Sequence, residues 1–121
     1  MAPKTITLYG IPNCDTVKRA RAWLTDNGHA YAFHDFKKSG VPEDHLDRWM
    51  AAVGWGRLLN QQGTTWRKLD DSVRQSTHDQ ATARRLMLSQ PSVIKRPVVE
   101  WGDGRITVGF SVEEWAAKKS A

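Results

Sequence analysis

One ordered pattern in residues 5–36 most restricts the folds open to this chain: strand, proline-containing break, cysteine, amphipathic helix, glycine, strand. Thr5 to Tyr9 reads Thr-Ile-Thr-Leu-Tyr, alternating and rich in β-branched residues, as a strand with a buried face requires. Gly10-Ile11-Pro12-Asn13 breaks that pattern. From Cys14 onward, Val17, Ala20, Ala22, Trp23 and Leu24 predict a helix with one face for a sheet. Asn27-Gly28 closes it, with Gly28 suited to a left-handed cap. Tyr31 to Phe36 predicts the second strand. Such a strand-helix-strand unit favours parallel pairing through a right-handed crossover, because a twisted strand feeding a right-handed helix returns to its sheet that way.

Downstream, Pro42 opens a second helical pattern with Leu46, Trp49, Met50 and Val53 on one face, stopped by Gly54. In the stretch from Trp55 to Leu69, Arg57-Leu58-Leu59 reads as a helical turn and Gly63-Thr64-Thr65 as a loop. Thr77 and Gln80 have the spacing of a capping box, introducing a helix through Leu88 that buries Ala83, Leu86 and Met87. Pro91 interrupts it. Val98 to Trp101, a turn at Gly102-Asp103-Gly104, and Arg105 to Val108 predict an antiparallel hairpin. Ser111 caps a last helix holding Val112, Trp115 and Ala116. The order β-α-β, helical middle, β-β-α places the chain in the α/β class. The expected fold is thioredoxin-like, a mixed central sheet in a single domain over 1–121 with a helical insertion at about 42–90.

A chain of 121 residues suits one domain. It buries roughly 65% of its unfolded surface, enough for a core without staples. The six tryptophans are scattered, as core anchors are, rather than clustered as a stacking platform. A single cysteine excludes an intramolecular disulfide and a multi-cysteine metal site, and His29, His34, His45 and His78 lack metal-ligand spacing, so no metal is expected. Met1 to Lys4 lack a signal-peptide layout and no apolar run reaches the ~20 residues of a membrane span, which points to the reducing cytoplasm. The net charge of +5 is dispersed over Lys18, Arg19 and Arg21, Lys37 and Lys38, Arg67 and Lys68, Arg84 and Arg85, and Lys95 and Arg96. That spread suits attraction of small anions better than a nucleic-acid tract, so direct nucleic-acid binding is not expected.

Chemistry centres on Cys14. A cysteine where a strand gives way to a helix meets free N–H groups and a partial positive charge, both of which favour the thiolate. Lys18 one turn on adds attraction, as does Arg96 if the fold brings it close, while Asp15 opposes it unless Arg19 pairs with it. The plain alternatives are an inert core cysteine and a Cys-His hydrolase. Arg96-Pro97 is the second constellation. A proline entering a strand suits a turn or a cis bond, and Arg96 offers a planar, permanently charged donor; the plain alternative is a strand-start proline with a solvated arginine.

The stretch from Tyr9 to Ala20 (Tyr-Gly-Ile-Pro-Asn-Cys-Asp-Thr-Val-Lys-Arg-Ala) resembles the active-site loop of the arsenate reductase-related family, the ArsC/Spx/YffB group. Leu58-Leu59-Asn60, Gly63 to Leu69 and Ile94 to Val98 resemble its YffB branch, and the likeness runs from about Thr5 to Trp115. The resemblance implies a thioredoxin-like core and cysteine-based redox chemistry. It implies Cys14 as nucleophile, Arg96 as oxyanion or thiolate partner, Pro97 as the cis-proline, and Asn13, Asp15 and Thr16 as shapers of the loop. Spx-type regulators carry a C-x-x-C switch where this chain has Val17. Of the arginines that arsenate reductases use on the anion, only Arg96 has a match, the others falling near Gly56 and Gly109. The expectation is a glutathione-dependent monothiol reductase, with no tightly bound cofactor and with glutathione as co-substrate, engaged by Arg96 and Lys18. The alternatives are a glutaredoxin-coupled arsenate reductase and an Spx-like module that docks on RNA polymerase.

Overall fold

A computed structural model describes residues 5–120, with side chains described through 116. Strand β1 (Ile6–Gly10) is followed by α1 (Asp15–Asp26), β2 (Tyr31–Asp35) and a short α2 (Phe36–Ser39). Helices α3 (Glu43–Val53), α4 (Trp55–Leu58), α5 (Thr64–Arg67), α6 (Asp71–Ser76) and α7 (Gln80–Ser89) follow, then a 3-10 turn at Pro91–Val93. The chain ends in β3 (Val98–Glu100), β4 (Ile106–Val108) and α8 (Val112–Ser120). It forms two compact units, one of the segments up to Asp35 and from Arg96 onward, the other Phe36–Lys95. No helix among the described residues is long and apolar enough to cross a membrane.

The first unit is built on a four-stranded mixed sheet in the order β2-β1-β3-β4. Parallel pairing sets Ile6 opposite Tyr31 and Gly10 opposite Asp35. Antiparallel pairing sets Tyr9 opposite Val98 and Val98 opposite Val108. This is the thioredoxin-like α/β arrangement expected from the sequence. Leu8, Val17, Ala20, Leu24, Val99 and Trp115 are buried together, so the apolar face of α1 closes over β1 and β3. Trp115 of α8 is the hub. Its ring meets Trp23 at 5.4 Å, Trp101 at 5.0 Å and Phe110 at 4.7 Å, each edge-on, the geometry aromatic quadrupoles favour. Ser111 caps α8 as expected, its hydroxyl accepting from the Glu114 amide at 3.4 Å.

Gly102 sits in the β3–β4 turn at φ +82°, where L side chains are strained, and a Cβ there would lie 2.7 Å from the backbone N and O of Thr5. Gly102→Ala is therefore expected to lose at least about 1–3 kcal/mol of stability. Urea unfolding followed by tryptophan fluorescence checks this, and an unchanged midpoint contradicts it.

The second unit buries Leu46, Trp49 and Met50 of α3 with Leu58, Met87, Val93 and Ile94. Leu59 pairs with Ile94 in an isolated antiparallel bridge, flanked by Lys95 N–H to Leu58 O and Asn60 N–H to Val93 O, both 2.7 Å. Three local expectations are corrected. Phe36 does not extend β2, because β1 ends opposite Asp35; it turns into α2 and its buried ring meets Trp49 at 6.2 Å. Gly63-Thr64-Thr65 is not a loop: Gly63 caps α5, a single turn too short to show a period. Thr77 does not cap α7. Its hydroxyl is committed to the Val73 carbonyl at 2.9 Å and ends α6, a helix the sequence reading missed because Val73 is its one apolar residue. The capping box belongs to Asp79, whose carboxylate accepts the Thr82 amide at 2.9 Å while Thr82 Oγ1 accepts the Asp79 amide at 3.1 Å. A carboxylate is a strong acceptor for an orphan helix amide, and it wins the cap.

Candidate active site

The site forms where β1 runs out. After Gly10, Ile11 is buried, Pro12 and Asn13 turn the chain, and Cys14 stands as the N-cap of α1 with extended backbone, φ −109° and ψ 124°. A cap residue ordinarily offers an oxygen to the first free amides; here the side chain at that place is a thiol. The Cys14 carbonyl accepts the Lys18 amide at 2.9 Å, the first regular bond of the helix. Asp15, in the first turn, complements the helix dipole and lies exposed.

The second component enters from β3. Because Tyr9 faces Val98 in the antiparallel ladder, the residues just before Val98 run beside those just after Tyr9. That register carries Arg96 and Pro97 to the cysteine loop. The Arg96-Pro97 peptide is cis, as expected from the sequence. Pro97 is buried and its carbonyl accepts the Gly109 amide at 2.9 Å, so the segment is held at its far side.

Cys14 is half-buried and free of any disulfide. Burial pushes its thiol up, since a charged sulfur loses water. Three groups outweigh that push: the Val17 amide, the Arg96 guanidinium through a hydrogen bond and through its charge, and the Thr16 amide. The net result is a thiol below its ordinary pKa. All the favourable groups act on the charged form, so they shift the thiol toward thiolate.

The structure thus brings Cys14, Arg96, Pro97 and Thr16 together. Asn13 is exposed in the loop, Asp15 is exposed at the start of α1 and Lys18 is exposed one turn along it; none of the three is a principal influence on the sulfur. Among the described residues Asp15 and Arg19 form no ion pair with each other. The Val17 amide was not singled out from the free first-turn N–H groups expected at Cys14. The signal for it was present: the free amides of a helix's first turn point at whatever occupies the cap. No group of three or more His, Cys, Asp or Glu side chains is placed to hold a metal ion among the described residues.

Comparison with known proteins gives the chain its family. The ArsC family profile matches residues 9–118, a span that holds both the cysteine loop and Arg96-Pro97. The solved structure of the YffB (PA3664) protein is 51% identical, superposes with a TM-score of 0.86, and is covered over 96% of its length by 93% of this chain. An arsenate reductase (ArsC) related protein from Brucella melitensis is 50% identical with a TM-score of 0.75, and the match covers 100% of this chain and 99% of that one. The global transcriptional regulator Spx of Streptococcus mutans is 24% identical over 90% of this chain and 79% of its own. With the profile spanning nearly the whole sequence and half of all positions shared with two solved relatives, the chain belongs to the ArsC family.

Proposed function

We propose that the protein is a monothiol redox enzyme, a glutathione-dependent thiol reductase with Cys14 as nucleophile. The observation that carries this reading is the convergence on one sulfur of the Arg96 guanidinium and the Val17 and Thr16 amides. A thiolate, not a thiol, attacks disulfides. The Cys14 thiolate attacks one sulfur of a substrate disulfide, forming the Cys14–S–S–R mixed disulfide and releasing the other half as thiolate, which takes a proton from water. The chain has no second cysteine to resolve the adduct. A glutathione thiolate therefore attacks it, freeing Cys14 and leaving R on glutathione, and a second glutathione reduces that product to RSH and glutathione disulfide. In this scheme Arg96 stabilises the sulfur anion as it leaves. Asn13, Asp15, Thr16, Lys18 and Pro97 line the substrate's path, with Arg96 and Lys18 engaging the tripeptide's carboxylates. The cytoplasm, with its glutathione pool, is the compartment such chemistry needs.

Incubation with glutathione disulfide is expected to add one glutathione to Cys14, seen by mass spectrometry, and reduced glutathione is expected to remove it. No adduct at any pH up to the ordinary cysteine range contradicts the reading. Two alternatives come from the relatives. Arsenate reduction, suggested by the Brucella protein's name, predicts turnover of arsenate with glutathione and glutaredoxin; no turnover at any arsenate concentration removes it. Spx-like regulation predicts capture of RNA polymerase, unchanged by Cys14→Ser. Val17, standing where an Spx switch has its second cysteine, favours catalysis with an external thiol over disulfide sensing within the chain.

A further inference from the structure

Gly10 is the last residue of β1 and its backbone is not in the left-handed region, so conformational freedom does not explain a glycine there. Space does. A Cβ at Gly10 would lie 2.9 Å from Val17 Cγ2 and 3.6 Å from Cγ1, the first closer than real Cβ contacts come. Val17 cannot easily give way. It is fully buried, packed with Leu8, Ala20 and Leu24, and its β-branched side chain has one preferred rotamer in a helix. A side chain that cannot turn must move with its backbone, and the Val17 backbone carries the N–H that donates to Cys14.

We propose that Gly10 is a positioning residue for Cys14: the missing Cβ lets Val17 seat against the end of β1, and that seat aims the Val17 N–H at the sulfur. Gly10 and Val17 form a matched pair, bare backbone against two γ-methyls. The consequence is read at Cys14, four residues from Gly10, and the Cys14 sulfur has other partners as well. Those partners are Arg96 from the segment entering β3 and the Thr16 amide, with Asp15 and Lys18 the remaining charged groups on the first turn of α1. The link to reactivity rests on the thiolate reading above. The steric match does not.

The test is a cycle of Gly10→Ala, Val17→Ala and the double variant. It is read by the pH profile of Cys14 alkylation and by the amide shifts of Thr16 and Val17 in nitrogen-15 spectra. In the native background Gly10→Ala is expected to slow alkylation at neutral pH several-fold, raise its pH midpoint and move the Val17 amide. In the Val17→Ala background, with the γ-methyls gone, the same added Cβ is expected to change none of these. A loss of folding in Gly10→Ala alone, with the double variant folded, supports the steric match, since only the γ-methyls separate them. Equal effects of Gly10→Ala in both backgrounds, or none in a folded single variant, overturn the proposal. If native Cys14 reacts no faster than a free cysteine, the redox reading fails, and the Val17 amide shift alone decides the positioning claim.

Discussion

Replacing Cys14 with Ser is expected to abolish thiol-disulfide turnover, by at least about 10³-fold, while the fold survives within about 1 kcal/mol. The two halves of that result have different physical origins. Serine keeps the place of the N-cap and offers an oxygen to the same amides, so α1 keeps its start and can gain a conventional cap. Its hydroxyl has no accessible anion at neutral pH and no sulfur to form the mixed disulfide. Every remaining influence at the site, from Arg96 to the two amides, then acts on a group that cannot carry the chemistry. Turnover of hydroxyethyl disulfide with reduced glutathione, set beside a thermal melt, measures both halves. Persistent turnover in folded Cys14→Ser removes the nucleophile from the account.

Trp115→Ala is expected to be the most damaging single core substitution in the first unit, at about 3–5 kcal/mol. Trp115 is 1% exposed and is the one ring that Trp23, Trp101 and Phe110 all meet. Its loss opens a cavity and removes three edge-on contacts at once, while the Trp101 side chain keeps its indole bond to Thr107 Oγ1 at 3.0 Å. For a chain of this length the melting temperature falls by roughly 10–20 °C. Val112, on the same helix but 55% exposed, provides the contrast: Val112→Ala is expected to stay within about 0.5 kcal/mol. Equal losses at the two positions contradict a packed aromatic hub under α8.

The parts of this fold legible in the sequence are those with a period or a stop. β1, α1 and β2 have clear alternation, an apolar stripe and a glycine end, and the hairpin and last helix have a turn signal and a cap. The middle of the chain was less legible for a physical reason. Between Gly54 and Asp79 the helices run four to six residues, shorter than two turns, so no hydrophobic stripe repeats. Their order comes from tertiary bonds such as the Leu59–Ile94 bridge and from Arg74, which donates to the Arg67 and Leu69 carbonyls. The misplaced cap shows the same limit: Thr77 and Asp79 both fit a cap by type, and only the carbonyl of Val73, four residues back, decides between them. At the site, Cys14 and Arg96 were legible because residue type fixes their chemistry, and the cis bond at Pro97 was legible through the family resemblance. The Val17 amide was legible only as one of the free N–H groups of a helix's first turn, since a backbone donor leaves no mark in side-chain identity.

The most direct test of the central claim is the rate of iodoacetamide reaction with Cys14 across pH, in the native protein and in Arg96→Met. Methionine keeps much of the side chain's bulk and removes the charge and the guanidinium donors. The native midpoint is expected below the free-cysteine value of about 8.5, and the Arg96→Met midpoint above the native one, with alkylation at neutral pH slowed several-fold. A native midpoint at or above the free value, or a profile that Arg96→Met leaves in place, contradicts a thiolate held by that arginine.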